Sequence, residues 1–198
     1  MPPMNDDASG TAAKPGGNSE TGKASLLIRD VTDADMAAIQ DIYTHHVLEG
    51  LASFEETPPD VAEMTRRRDA ILELGYPYRV CEVDGVVKGY SYASSYRPRP
   101  AYRHTVENSV YVDVNTIRLG VGRGLLEDLI ERCTEMGFRQ MVAVIGDSAN
   151  DPSIGLHEAL GFKKTGVNTS IGFKFGRWVD SVTMQRPLGP GDSTLPEE

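Results

Sequence analysis

The stretch Arg118-Leu119-Gly120-Val121-Gly122-Arg123-Gly124 stands between a segment that reads as a β-strand and one that reads as a long helix. In the helix Leu125, Leu126, Leu129, Ile130, Cys133 and Met136 recur at helical spacing, and Gly137 stops it. A strand that turns directly into a helix exposes the helix's first N–H groups and the positive end of its dipole, and glycines let an anion approach the backbone. The pattern therefore fits a phosphate-bearing ligand or a purely structural tight turn. Two nucleotide versions are weakened by the residues themselves. A P-loop needs G-K-[ST] where the chain has Gly124-Leu125-Leu126, and a dinucleotide fingerprint needs a third glycine where Leu125 stands.

The flanking pattern alternates strand and helix. Residues 26–29 read as a short strand, and Thr32 with Asp35 forms a capping box that opens a helix carrying Met36, Ile39, Tyr43 and Val47 on one face. A second helix follows Pro58-Pro59 and runs to about Leu74 before Gly75. Residues 78–83 and 86–94 flank Asp84-Gly85, the chemistry of a type I′ hairpin. A polar and aromatic loop, 96–105, leads into the strand 107–114 ahead of the glycine turn. After the long helix, residues 141–145 form a continuous apolar run suited to a central strand. Asn150 or Asp151 caps a helix that has Pro152 in its first turn and closes at Gly161; 172–176 reads as a loop holding Trp178 nearby, and 179–185 as a last strand. This order predicts an α+β or mixed α/β sheet.

The 198 residues allow one domain with tails. Residues 1–24 hold no aromatic and no branched aliphatic side chain and are expected to be a disordered tail, with the domain over 25–188 and a flexible tail over 189–198. The formal charge of −9 argues against nucleic acid as a principal partner, and no stretch approaches a membrane span. Arg66-Arg67-Arg68, between Glu63 and Asp69, reads as a solvated helix face. Cys81 and Cys133 fall in no metal-type pair and read as buried fillers, and His45-His46 reads as a helix surface pair with no third ligand, so no metal site is expected. The N-terminus carries no apolar signal region, which makes a reducing cytoplasm the expected compartment.

The strand, loop and helix over 107–136, followed by Asn150 and by His157-Glu158-Ala159-Leu160-Gly161-Phe162, resemble the GNAT acetyltransferase superfamily. Its acetyl-CoA loop reads Q/R-x-x-G-x-G/A, where this chain has Ile117-Arg118-Leu119-Gly120-Val121-Gly122, so Ile117 replaces the leading polar residue. Within the superfamily the chain is most similar to the phosphinothricin N-acetyltransferase group, including relatives that acetylate methionine sulfoximine and methionine sulfone. The segments carrying that resemblance are Asp41-Ile42-Tyr43-Thr44-His45-His46, Ser53-Phe54, Ala101-Tyr102, Thr105-Val106-Glu107-Asn108-Ser109-Val110-Tyr111-Val112, Val142-Ala143-Val144-Ile145-Gly146 and Asn150-Asp151-Pro152-Ser153, with Glu82-Val83-Asp84-Gly85-Val86-Val87.

The resemblance implies a GNAT fold, a mostly antiparallel twisted sheet splayed near the acetyl-CoA site with flanking helices. It also implies a homodimer that acetylates the α-amino group of small amino acid analogues, a reaction that gives herbicide resistance. Glu107 becomes the general base that takes the amine's proton, although read alone it is an ordinary strand carboxylate. His157 becomes the acid that protonates the departing thiolate, with a helix residue packing on the sheet as the other reading. Cofactor contacts are expected from Val110, Tyr111, Val112, Arg118, Leu119, Gly120, Val121, Gly122, Arg123 and Asn150, the last of which reads equally as a helix cap. Substrate contacts are expected from Phe54, Tyr96, Arg97 and Thr105, since guanidinium forks suit anionic acceptors. Two other readings remain at this point: a protein N-terminus or polyamine as acceptor, drawn by the acidic surface, and a catalytically silent acyl-CoA-binding module.

Overall fold

The computed structural model describes residues 25–116 and 119–196. The tail expected over 1–24, and Ile117 and Arg118 of the glycine turn, lie outside the described residues. In chain order the elements are β1 (Leu26–Asp30), α1 (Met36–Leu48), α2 (Val61–Glu73), β2 (Tyr78–Val83), β3 (Val86–Ser95), β4 (Thr105–Val112), α3 (Val121–Glu135), β5 (Gln140–Gly146), α4 (Asp151–Ala159), β6 (Lys163–Lys174) and β7 (Arg177–Pro187). The strands form one sheet of seven in the order β1-β2-β3-β4-β5-β7-β6. Among the described residues only β4 and β5 run parallel; every other neighbouring pair is antiparallel.

Local chemistry places the elements where the sequence predicts them. Thr32 and Asp35 make the capping box, with the Asp35 carboxylate 2.7 Å from the Thr32 amide, ahead of α1. Asp84 and Gly85 both take positive φ, 51° and 80°, as a type I′ turn between β2 and β3 requires. Asn150 caps α4 by accepting from the Ser153 amide at 3.3 Å.

Side-chain alternation along the strands divides the core between two faces. On one face α1 and α2 lay Met36, Ile39, Ile42, Tyr43, Val47 and Met64 against Tyr78, Val80 and Tyr90. On the other, α3 and α4 bring Leu126, Leu129, Cys133 and Ile154 onto Val106, Met141, Ala143, Ile145 and Met184. Cys81 and Cys133 are both fully buried, as apolar fillers are. Arg79 of β2, 3% exposed, ties β1 and α3 to its strand by binding Asp128 of α3 at 2.8 Å and Asp30 of β1.

Two expectations are corrected. Residues 172–174, read as loop, belong to the twelve-residue strand β6, and the turn to β7 is made by Phe175 and Gly176 at positive φ. Almost every residue of β6 is exposed, so it carries none of the in–out alternation that marks a half-buried strand. The arginine run is not wholly solvated either: Arg68 is 5% exposed and reaches Asp33 and Asp69, both at 2.7 Å. At the other end of the domain Leu188 is buried, and Arg139 holds the chain beyond it through the carbonyls of Gly191 at 3.1 Å and Leu195 at 2.9 Å.

One glycine decides how closely α3 lies on the sheet. A Cβ at Gly89 of β3 would stand 2.8 Å from Val121 Cγ1 and 3.0 Å from Leu125 Cδ1, the first turns of the helix. Gly89→Ala is therefore expected to push the start of α3 outward, lowering stability by about 1–3 kcal/mol in urea unfolding. It should also weaken any ligand held at the glycine turn, measured by titration calorimetry.

Candidate active site

The parallel pairing of β4 with β5 runs from Thr105↔Gln140 to Asn108↔Ala143 and stops there. Beyond it, residues 109–112 stay registered with β3 and residues 144–146 with β7, so the two strands are pulled apart by their outer neighbours. The β5-facing edge of 109–112 has no strand partner, and a cleft opens between the arms. Asn108, Ser109, Val110, Tyr111, Val144, Gly146, Asn150, Ser153 and His157 line it.

The glycine turn stands at the outer end of the β4 arm. Gly120 takes φ 80°, a left-handed conformation that glycine adopts without strain, and precedes the free first turn of α3. Gly122 sits between the sheet and α4: a Cβ there would lie 3.3 Å from Val112 Cγ2 and 3.5 Å from Leu156 Cδ2. Backbone N–H groups at a helix start, with no side chain over them, suit a diphosphate. Of the other expected cofactor residues, Val121 is buried against the sheet, Leu119 is exposed, and Arg123 is exposed and paired with Glu127 at 2.9 Å. Asn150 both caps α4 and extends Nδ2 to the Gly146 carbonyl at 3.4 Å, at the tip of the β5 arm.

Glu107 and His157 lie on opposite faces of the sheet. Strand alternation puts Glu107 with Thr105, Ser109 and Tyr111 toward α1 and α2, and Asn108 with Val106 toward α3 and α4. Glu107 is half-buried; burial raises its carboxyl above the ordinary range, and the charge of Arg97 pulls it part of the way back. His157, 4% exposed, has Nδ1 2.8 Å from the Ser153 carbonyl and Nε2 3.1 Å from Asn108 Oδ1. Burial lowers its pKa, and the Ser153 carbonyl opposes that shift.

On the Glu107 face a cavity of about 640 Å³ is lined by Tyr43, Ser53, Phe54, Glu55, Tyr111, Val144 and Ile171 among others. Tyr43 donates to Glu55 Oε1 at 3.0 Å and shares a 2.9 Å bond with Ser53 Oγ, while Arg67 holds Glu55 at 2.6 Å. Burial pushes the Tyr43 hydroxyl up to about 12, so it remains a proton-bearing donor at neutral pH. The structure thus brings Phe54 to this cavity. It places Tyr96, Arg97 and Thr105 at the opposite end of the β4 arm, where Arg97 packs 4.4 Å over the Tyr96 ring and acts on Glu107 through its charge.

Several residues in and around the cavity gave no chemical signal in the sequence. Tyr43 read as core spacing, and it is core on one side and cavity wall on the other. His46, read as a surface residue, is half-buried with Nε2 2.9 Å from the Val112 carbonyl. Lys174 is 3% exposed, without a carboxylate in contact, and donates to the carbonyls of Gly50 at 2.9 Å and Ser53 at 2.7 Å. It pins the loop that carries Ser53 and Phe54. The loop lies so close that a Cβ at Gly146 would strike the Leu51 carbonyl, and one at Gly172 would stand 2.5 Å from the Phe54 ring.

The family profile described as an acetyltransferase (GNAT) domain matches residues 28–183. The chain is 54% identical over 178 residues to a phosphinothricin N-acetyltransferase of Alcaligenes faecalis, covering 90% of each chain. It is 42% identical to an L-methionine sulfoximine/L-methionine sulfone acetyltransferase of Pseudomonas paraeruginosa, covering 84% of this chain and 96% of that one. The crystal structure of a phosphinothricin acetyltransferase from Sinorhizobium meliloti in complex with acetyl-CoA superposes with a TM-score of 0.84 at 49% identity, over 89% of this chain and 94% of that one.

Lys174→Met keeps the bulk of the side chain and leaves two carbonyls without their donor. We expect a loss of about 1–3 kcal/mol in stability, with faster amide hydrogen exchange confined to residues 50–56. Unchanged exchange in that loop would show that the ammonium does not hold it.

Proposed function

The chain belongs to the GNAT acetyltransferase family, and from that premise we propose that it transfers acetyl from acetyl-CoA to the α-amino nitrogen of a small amino acid analogue of the phosphinothricin or methionine sulfoximine and sulfone type. The observation that carries the proposal is the desolvated Glu107 carboxylate on the acceptor-side face of a strand whose free edge lines the cleft. The names of the relatives support the acceptor class.

Acetyl-CoA supplies the activated acyl group. The residues present fit it: Gly120 and Gly122 leave the first turn of α3 open to a diphosphate, and the free edge over Val110, Tyr111 and Val112 suits an amide-bearing arm. Asn150 is assigned a contact beside its cap, further contacts are assigned to Leu119, Val121 and Arg123, and Arg118 is assigned one from the resemblance. Glu107 accepts the proton of the ammonium form, directly or through one water, because an amine attacks only when its lone pair is free. His157 returns a proton to the departing sulfur. Holding the two reactants in one cleft supplies the rest of the acceleration. Phe54 walls the acceptor at the cavity, while Arg97, with Tyr96 and Thr105 at the other end of β4, sets the charge around Glu107.

We assign a homodimer through the β6–β7 hairpin. β6 is an edge strand, and Val167, Ile171, Phe173, Phe175 and Trp178 are 44–64% exposed along the hairpin. Ile171 also lines the 640 Å³ cavity, so a second copy seated there would stand beside the acceptor. No helix among the described residues is long and apolar enough to cross a membrane, and we place the enzyme in the cytoplasm.

Thiol release measured with phosphinothricin, methionine sulfoximine, methionine sulfone, a polyamine and an N-terminal peptide tests the acceptor. We expect turnover with the first three and little with the cationic two; the reverse order would move the assignment to the reading that the chain's charge of −9 favours. Glu107→Gln should lower kcat by about 10²–10⁴-fold. A base works as its carboxylate, so the wild-type rate should rise with pH through a pKa above the ordinary 4.5. Arg97→Gln should move that limb to higher pH, since Arg97 is the group that lowers it. Ile171→Glu with Trp178→Glu should yield a monomer in sedimentation velocity; an unchanged dimer would remove β6 from the interface.

A further inference from the structure

Asn108 is the last residue of β4 to pair with β5, and it is 6% exposed. Its carboxamide has two partners there. Nδ2 donates to the Val142 carbonyl at 3.1 Å, and Oδ1 lies 3.1 Å from His157 Nε2. A backbone carbonyl only accepts, so turning the amide over would set oxygen against oxygen at Val142. The orientation of the amide is therefore fixed, and His157 Nε2 must be the donor. The other ring nitrogen, Nδ1, is 2.8 Å from the Ser153 carbonyl, which also only accepts. Both nitrogens face acceptors, and only a ring with a proton on each satisfies both.

Three groups face the ring. They are the Ser153 carbonyl of α4, the Asn108 amide of β4 and the Phe162 ring after α4, edge-on with centroids 5.0 Å apart. No charged side chain is among the causes acting on its titration; burial pulls it down and the Ser153 carbonyl resists. With the Ser153 acceptor alone, one proton on Nδ1 would suffice and Nε2 would stand empty. The amide at the fork changes that count.

We propose that Asn108 is a positioning residue for acetyl transfer, its Oδ1 holding the proton on His157 Nε2 and fixing the ring where the cleft between β4 and β5 begins. This rests on the reading of His157 as the proton donor. In that step the Nε2–H bond breaks and an S–H bond forms, and the ring is left neutral with its remaining proton on Nδ1 against the Ser153 carbonyl. Asn108 moves no proton itself. It decides whether one is present at Nε2 when the sulfur departs.

The test is the nitrogen-correlated NMR spectrum of the His157 ring, assigned with His157→Gln and followed without ligand as the pH falls from 8 to 5, because burial lowers the ring's pKa. The wild type should carry a proton on Nδ1 throughout and gain the proton on Nε2 within that range. Asn108→Ala should gain the Nε2 proton only at lower pH, and Asn108→Asp should move that step back up, because a carboxylate oxygen again accepts. Alongside, kcat should fall about tenfold in Asn108→Ala and recover in part in Asn108→Asp, with KM for acetyl-CoA changing by less than about twofold. If thermal melting shows Asn108→Ala unfolded, Asn108→Leu carries the same expectation with the volume retained. A wild-type ring that never gains the Nε2 proton in that range, or an Nε2 proton that appears at the same pH in a folded Asn108→Ala or Asn108→Leu, overturns the proposal. The ring spectrum needs no acceptor amine, so a failure to acetylate any amine would count against the proposed function and leave the proton assignment to be judged separately.

Discussion

The separation of β4 from β5 after Asn108 and Ala143 governs everything built around it. A parallel pair normally continues until one strand ends; here both strands continue, each claimed by an antiparallel neighbour whose register leads it away. The unpaired edge over 109–112 would be a liability in a closed sheet. In this fold it borders the cleft, and the glycine turn and the cap of α4 stand at the tips of the two arms. The short α3–sheet distance at Gly89 and the tight seat of Gly122 against Val112 and Leu156 hold those tips in place.

The fork also bears on how the proposed mechanism uses residues on opposite faces of one sheet. Adjacent positions on a strand point to opposite sides, so Glu107 and Asn108 can never share a face. Where β4 is paired with β5 the sheet divides them. Beyond the last pair the division ends, and the cleft is lined by Ser109 and Tyr111, which share the Glu107 face, and by His157 from the α4 side. Buried charges are kept by backbone carbonyls as well as by partners of opposite sign. Lys174 gives its protons to Gly50 and Ser53, and burial lowers its pKa while Glu56 and Glu55 resist.

Local chemistry made much of this legible in the sequence. The capping box at Thr32, the Asp84-Gly85 turn, the apolar run of β5 and the helical spacing after Gly124 each name an element by physics confined to a few residues. The Glu107 strand and the glycine turn were legible for the same reason. β6 was not, because both of its faces are exposed and two register irregularities interrupt it. Lys174 was not, because its partners lie more than a hundred residues away, at sequence separations of 124 and 121. Asn108 stood inside a matched motif, yet its meaning depends on Val142 and His157, which only the folded sheet brings to it.

In the proposed mechanism the reacting amine lies on one side of the fork and the returned proton on the other. A crystal structure with CoA and the N-acetylated product of methionine sulfone tests that arrangement most directly. The account predicts the product's amide nitrogen on the α1–α2 face, within hydrogen-bond reach of Glu107 directly or through one water, with the sulfur between the arms of β4 and β5. A product nitrogen lodged beside His157 on the α4 face, remote from Glu107, would contradict it.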